Sequence, residues 1–497
     1  MKVLLVYPEF PDTYWSFRHA LPFEGKRSAF PPLGLLTISS MLPPTWEKKL
    51  VDMNIEALWP DDIEWADMVM ISAMIVQRES MEKIIDQCNR LGKKVVVGGP
   101  YVSTSYDRLE GVDHIFVGEA ETTLPEFLND LELGIERRIY KADNRPSIEH
   151  TPVPDFSLVD LDAYGAMNLQ YSRGCPFQCE FCDIIEIYGR VPRTKTNEQM
   201  SAELDALYRA GWRGLVFIVD DNFIGNKKNV RKFLPSLVEW SAGHKYPFSY
   251  ITEASVNLAE DEPLLGMMQA AGFRRVFLGI ETPVEESLKE AQKGQNTHRD
   301  LLESVHKIQT YGMEVMAGFI VGFDSDPADI FERQVQFIHD SAIPLAMVGL
   351  LTALPDTQLW RRLEKEGRLE TESTGNNTDC SLNFVPVMDK STLIEGYKSI
   401  LRSIYSPREY YRRSLESLTR SHQARREPRA HAYLDDLRSL LRIIGRLGIR
   451  DADRASFLRY MYDVLRRCPG EFAHGLTLAV MGYHFRQITA RYCDASA

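Results

Sequence analysis

Arg173-Gly174-Cys175-Pro176-Phe177-Gln178-Cys179-Glu180-Phe181-Cys182 places three cysteines within eight residues, spaced Cys-x3-Cys-x2-Cys. No fourth Cys or His stands close in sequence. Three thiolates on one short loop can hold three irons of a 4Fe-4S cluster and leave the fourth iron open to a ligand. A closed zinc site needs four ligands, commonly two separated pairs, and nothing here supplies the second pair. Three unrelated buried cysteines are the remaining reading. The loop's position directly after a strand favours the cluster.

Around that loop the chain alternates short β-rich runs with helical patterns. Strands are expected at residues 168–172, 215–219, 249–253, 276–280, 315–321 and 346–350, with helices at 197–210, 227–240 and 297–311. Six β/α repeats in so short a span predict a partial (β/α)6 barrel over 166–358, with its chemistry at the carboxyl ends of the strands. A first alternating series occupies 1–142, with strands at 2–7, 49–53, 68–73, 94–97 and 114–117 and a helix at 79–91. This reads as a Rossmann-like parallel sheet covered by helices. The Pro-containing stretch 143–165 reads as a linker. From 359, and clearly from about 370, the pattern turns helical, which makes the fold class α/β with a mostly α-helical C-terminal module.

The cysteine loop and its strand context resemble the radical S-adenosylmethionine (SAM) superfamily. The resemblance implies that the amino and carboxylate groups of SAM chelate the open iron. One electron then cleaves SAM to methionine and a 5′-deoxyadenosyl radical. It also implies cofactor-binding roles for Phe181 near the adenine, and for Gly279-Ile280-Glu281-Thr282 and Gly318-Phe319-Ile320-Val321-Gly322, which match SAM-contacting motifs. Glycines at Gly279, Gly318 and Gly322 allow close backbone approach, and Glu281 can accept from hydroxyl or ammonium donors. Asp221, in Asp220-Asp221-Asn222, and Glu253 are further strand-end candidates, or else caps of the following helices.

A five-stranded sheet ahead of such a barrel resembles the cobalamin-binding, class B radical SAM methyltransferases. Ser72, Gly98 and Gly99 match part of the cobalamin motif, and Gly118 and Glu119 end the neighbouring strand. The lower-axial histidine motif is absent, since the loop after the first strand reads Pro8-Glu9-Phe10-Pro11-Asp12 and the first histidine is His19. A flavodoxin-like domain without its ligand is the bland alternative. Three further stretches, Cys182 to Lys195, Val219 to Asn226 and Leu354 to Thr357, resemble the group that includes the hopanoid C-2 methylase, which carries a C-terminal helical domain. The resemblance implies methylation of an unactivated carbon in a hydrophobic, polycyclic substrate such as a hopanoid or chlorin. The cofactors would be a 4Fe-4S cluster, SAM and cobalamin, with a reduced flavodoxin or ferredoxin as electron donor. A cyclase, coupling or rearranging enzyme with a non-methylating N-terminal domain is the alternative.

The 497 residues carry 44% hydrophobic and 26% charged residues, which excludes disorder. No apolar run approaches the ~18 residues of a membrane span, and a cytoplasmic location is expected. A net charge of −12 argues against general nucleic-acid binding. From Lys398 to Arg467, however, 17 Lys or Arg stand against 8 Asp or Glu. Arg412, Arg413, Arg425, Arg426, Arg429, Arg466 and Arg467, with Tyr and Leu between them, suit a module that rests on an anionic membrane surface such as that of the inner membrane, or receives an amphipathic substrate. A solvated helical face with counter-charges suits them equally.

Overall fold

The computed structural model describes residues 1–142, 144–376, 378–422 and 437–494. Arg425, Arg426 and Arg429, and the expected break around them, lie outside the described residues.

The first sheet is parallel throughout. Its strands are β1 (Lys2–Tyr7), β2 (Glu47–Asp52), β3 (Met68–Ser72), β4 (Lys94–Gly98), β5 (His114–Val117) and β6 (Ile139–Lys141), in the order β2-β1-β3-β4-β5-β6. Period-2 side chains divide its apolar residues between two cores: Leu4 and Val6 join one, Val3 and Leu5 the other. Helices α1 (Leu33–Met41), α2 (Arg78–Arg90) and α3 (Ala120–Leu133) cover the faces. Only the sixth strand was not anticipated. It has three residues, of which Tyr140 alone is buried, too short for a periodic signal.

The second sheet runs β14-β13-β12-β11-β10-β7, all parallel. Its strands are β7 (Met167–Leu169), β10 (Gly214–Ile218), β11 (Phe248–Ala254), β12 (Phe273–Glu281), β13 (Glu314–Val321) and β14 (Ala346–Leu350). One expected strand is divided: after β7 the chain turns into β8 (Ser172–Arg173), which pairs antiparallel with β9 (Arg193–Thr194). That small hairpin base carries the cysteine loop. Helices α4 (Asn197–Arg209), α5 (Lys227–Gly243), α6 (Glu262–Ala271), α7 (Leu301–Thr310) and α8 (Ile330–Asp340) pack outside.

β7 and β14 do not pair with each other, so the barrel has an open side, and the segment between β1 and α1 fills it. Tyr14 donates its hydroxyl to Val348 O on β14 (3.2 Å), and Asn168 on β7 donates to Pro31 O (3.2 Å). Between these anchors Trp15 enters the barrel and stacks on Phe217 (5.9 Å between centroids, 8° between planes).

The C-terminal helices close the same side from outside. They are α9 (Lys390–Ile404), α10 (Pro407–His422), α11 (Leu437–Ile443), α12 (Arg454–Arg467) and α13 (Phe472–Thr489). Phe485 of α13 stacks on Tyr14 and Tyr405, and Tyr405 donates to Ala346 O (2.6 Å). The C-terminal part opens with the short helix Gln358–Lys365, but the continuous helical pattern expected from about 370 does not follow: apart from residue 377, which is not described, 366–389 hold no helix, Leu369 and Phe384 form an antiparallel bridge, and helix resumes at Lys390. Arg413, expected on a basic surface, is fully buried and donates through Nε to Ile343 O (3.1 Å). Its neighbours Tyr405 and Tyr410 belong to the core of this interface.

Candidate active site between the sheet and the barrel mouth

The cysteine loop is fastened at its root by the carboxylates that follow β10. Asp220 accepts from Tyr171 N and Ser172 Oγ, both at 2.7 Å, and Asp221 accepts from Gly174 N at 2.8 Å. Burial pushes the two carboxyls up, to about 6 and about 7. Gly174 has φ +95°, and a Cβ there would lie 2.8 Å from Gly189 O, so the tight entry into the loop requires glycine. Asp221 thus acts on the loop backbone in this structure.

Each thiol meets an amide donor. Asn222 Nδ2 lies 3.8 Å from Cys175 Sγ and Gln295 Nε2 lies 3.5 Å from Cys179 Sγ. The backbone N–H groups of Phe177 and Ile184 point at Cys175 and Cys182. Amide donors directed at sulfur are what anionic cluster ligands use, so these residues fit a cluster held by three thiolates. Among the described residues no three His, Cys, Asp or Glu side chains converge closely enough for a single metal ion.

Beside the loop, Gly279 on β12 is in register with Gly318 on β13. Glu281 has φ +64° and turns its carboxylate back over these glycines, where it pairs with the buried Lys293. A Cβ at Gly279 would overlap both charged groups. Phe181 sits 6.0 Å below the Lys293 ammonium and packs on Phe323. Gly322 differs from the other two glycines: its surroundings are Leu393 of α9 and the Asp326 carboxylate, which accepts its N–H at 2.8 Å. Lys293 and Gln295 were missed in sequence because a lone Lys-Gly-Gln after a helix carries no periodic or spacing signal.

A cavity of about 690 Å³ lies between the first sheet and the barrel mouth. Ser72, Gly99, Gly118 and Glu119 line it from the sheet, Arg173, Phe217, Val219 and Glu253 from the barrel, and Trp15 and Phe30 from the segment between. Gly99 has φ +99° and a Cβ there would stand 2.7 Å from Ser72 Oγ, while a Cβ at Gly118 would meet nothing within 4 Å. Gly98 stays within β4 against Phe116, outside the cavity lining. Among the described residues no histidine lines the cavity, and His19 faces His484 instead.

Glu119 has a different engagement from the one its strand-end position suggested. Its carboxylate pairs with Arg173 (2.8 Å) and Arg193 (2.7 Å), and Arg173 also pairs with Glu121 (2.8 Å). Because Arg173 and Arg193 are the paired ends of β8 and β9, this ion cluster ties the first sheet to the base of the cysteine loop.

Glu253, at the end of β11, faces the cavity. Burial, reinforced by the Asp221 carboxylate, pushes its carboxyl up to about 8. In the protein freed of cofactors, the folded state holds a proton that the unfolded chain has already released. Stability is therefore expected to fall as pH rises from about 4.3 towards 8, by up to about 1.4 kcal/mol per pH unit for this group. Glu253→Gln removes that component, so thermal melts across this pH range should show the variant gaining on the wild type; parallel curves would contradict the assignment.

Three families match the chain: "B12 binding domain" over residues 27–128, "Radical SAM superfamily" over 169–338, and a domain of unknown function over 357–497. An uncharacterized methyltransferase of Synechocystis sp. is 43% identical, covering 98% of this chain and 92% of its own. The hopanoid C-2 methylase of Rhodopseudomonas palustris is 35% identical, covering 100% of this chain and 95% of its own. The chain belongs to the cobalamin-binding radical SAM methyltransferases. The fold agrees with the solved structure of the cobalamin-dependent SAM radical enzyme OxsB with aqua-cobalamin and SAM bound (TM-score 0.63, 16% identity, 99% of this chain and 80% of that one). As a member of this family the protein is an enzyme whose cofactors are a 4Fe-4S cluster, SAM and cobalamin.

Proposed function

We propose that the enzyme methylates an unactivated carbon of a hydrophobic, polycyclic small molecule of the hopanoid kind. The observation that carries this reading is the end-to-end 35% identity with a relative named as a hopanoid methylase. The cavity adds support, because Trp15, Phe30 and Phe217 line it with aromatic rings and an apolar polycycle gains most from such walls. When bound, the cluster and SAM supply a radical able to take hydrogen from an inert carbon, and cobalamin supplies the methyl group.

The chain's own residues position these groups. Cys175, Cys179 and Cys182 hold the cluster, with Asn222 and Gln295 stabilising thiolate charge. Phe181, Gly279, Gly318, Glu281 and Lys293 form the SAM side: the glycines leave room, and the Glu281–Lys293 pair offers an acceptor for hydroxyls and a cation for a carboxylate. Ser72, Gly99 and Gly118 leave the sheet-side cavity open for cobalamin. Trp15 and the helices behind it close the barrel's open side and keep water from the reacting carbon. A reduced flavodoxin or ferredoxin is the electron donor in this scheme.

The test is a comparison of lipid extracts by mass spectrometry from a deletion strain and its parent. The expected result is the loss, in the deletion strain, of species heavier by one methylene than those that accumulate. Unchanged hopanoids together with altered pigments would move the substrate to the chlorin class.

A further inference from the structure

We propose that the outer face of α11 and α12 docks the enzyme on an anionic lipid bilayer. Of sixteen large apolar side chains exposed among the described residues, seven fall between positions 437 and 465. Leu437, Leu441 and Ile444 recur at i, i+4 and i+7 along α11 and its continuation, and Leu458, Tyr462 and Leu465 do so along α12. Such spacing puts each trio on one helical face. Both helices already bury a different row, Ser439, Ile443 and Leu447 on one, Phe457, Tyr460, Met461 and Val464 on the other. The exposed rows are therefore a second apolar surface that the described residues leave uncovered, with Leu441 60% and Tyr462 65% exposed.

The charges on this surface are one-sided. Arg450, Arg459, Arg466 and Arg467 are exposed, and none has an ion-pair partner among the described residues. The acidic groups of the same stretch are largely neutralised: Asp451 and Asp453 both pair with Arg486, leaving Asp463, which is half-buried. Apolar rows flanked by unpaired guanidinium groups match the boundary of an anionic bilayer, where side chains reach the acyl region and arginines meet phosphate. A nucleic acid would take up the arginines and leave the apolar rows in water. No helix among the described residues is long and apolar enough to cross a membrane, so contact is with the surface.

The position of this face is functional. Arg442 of α11 donates to Phe23 O (3.4 Å) in the helical turn Leu21–Glu24, a few residues beyond Trp15, Ser16 and Arg18 of the cavity wall. A bilayer held here would lie next to the segment that closes the barrel. The inference is independent of which substrate is methylated.

Sedimentation of the full-length protein with vesicles tests it. Binding to vesicles of equal phosphatidylglycerol and phosphatidylcholine is expected to exceed binding to phosphatidylcholine alone by about tenfold or more. Salt near 1 M, where the screening length is about 3 Å, should weaken it. The variants Leu441→Gln/Leu458→Gln/Tyr462→Gln and Arg459→Gln/Arg466→Gln should each lose most of the binding with unchanged melting temperature, since every altered side chain is exposed. Equal partition onto both vesicle types, wild-type binding by both variants, or self-association through this face in place of vesicle binding would each overturn the proposal. The composition and salt comparisons use unaltered protein and do not depend on a variant folding.

Discussion

Replacement of Cys175, Cys179 or Cys182 by Ala is expected to abolish formation of 5′-deoxyadenosine and to strip the cluster's iron. Two thiolates on this loop cannot restrain a four-iron group whose fourth iron must stay open, and no other Cys, His, Asp or Glu cluster among the described residues can take over. The loop is held by contacts that do not involve the thiols: Asp221 and Gly189 at Gly174 and Cys175, Ala291 and Leu359 at the Glu180 backbone, and Arg362 at the Glu180 carboxylate. The fold should therefore survive the substitution. The amide donors are expected to matter less. Asn222→Ala and Gln295→Ala remove hydrogen bonds to sulfur, and loss of such outer partners costs about 10–100-fold in affinity or activity. Iron content and low-temperature magnetic resonance of oxygen-free preparations, with SAM cleavage assayed in parallel, provide the check. Unchanged SAM cleavage in the triple Ala variant would refute the assignment.

Glu119→Gln should detach the cobalamin side of the cavity from the barrel. The residue's carboxylate stands between Arg173 and Arg193, all three largely buried. Neutralising it leaves Arg193, among the described residues, with the carbonyls of Pro146 and Tyr188. Breaking a buried pair from one side costs about 3–5 kcal/mol, which corresponds to more than a hundredfold in the population of the docked arrangement. Cobalamin retained through desalting is the readout. Arg193→Met should reproduce the loss, because the ion cluster fails from either end. If Arg193→Met keeps cobalamin while Glu119→Gln loses it, Glu119 touches the cofactor directly.

The two substitutions bear on features of very different visibility in the sequence. The cysteines are local: three ligands in eight residues declare their chemistry before any fold is known. The strands were legible for a related reason, because in parallel sheets covered on both faces the buried runs are continuous and apolar, as in Val95-Val96-Val97 and Val3-Leu4-Leu5-Val6. The short β6 and the β8–β9 pair were not legible, since two or three residues carry no period. Glu119 was correctly placed at a strand end, where ligands gather, but its two arginine partners stand 54 and 74 positions away.

The basic C-terminal module shows the same limit from the other side. Arg413 and Arg466 look alike as letters, yet the first lies in the interface with the barrel and the second on the outer face. An arginine's sequence neighbours report helical phase but not which phase meets the core, and here two apolar rows compete for that role on each helix.

The cluster-holding loop and the order of the α/β units were thus determined by the amino-acid sequence alone, because short-range spacing and the periods of strand and helix are properties of contiguous residues, while SAM and cobalamin are implied by the family those motifs resemble. Tertiary structure alone decided that Trp15 and α13 seal the barrel's open side, that Lys293 meets Glu281, and that Glu119 joins two sheets. These are pairings between residues far apart in the chain, and their choice depends on which buried charge or exposed strand edge is left unsatisfied once everything else has packed.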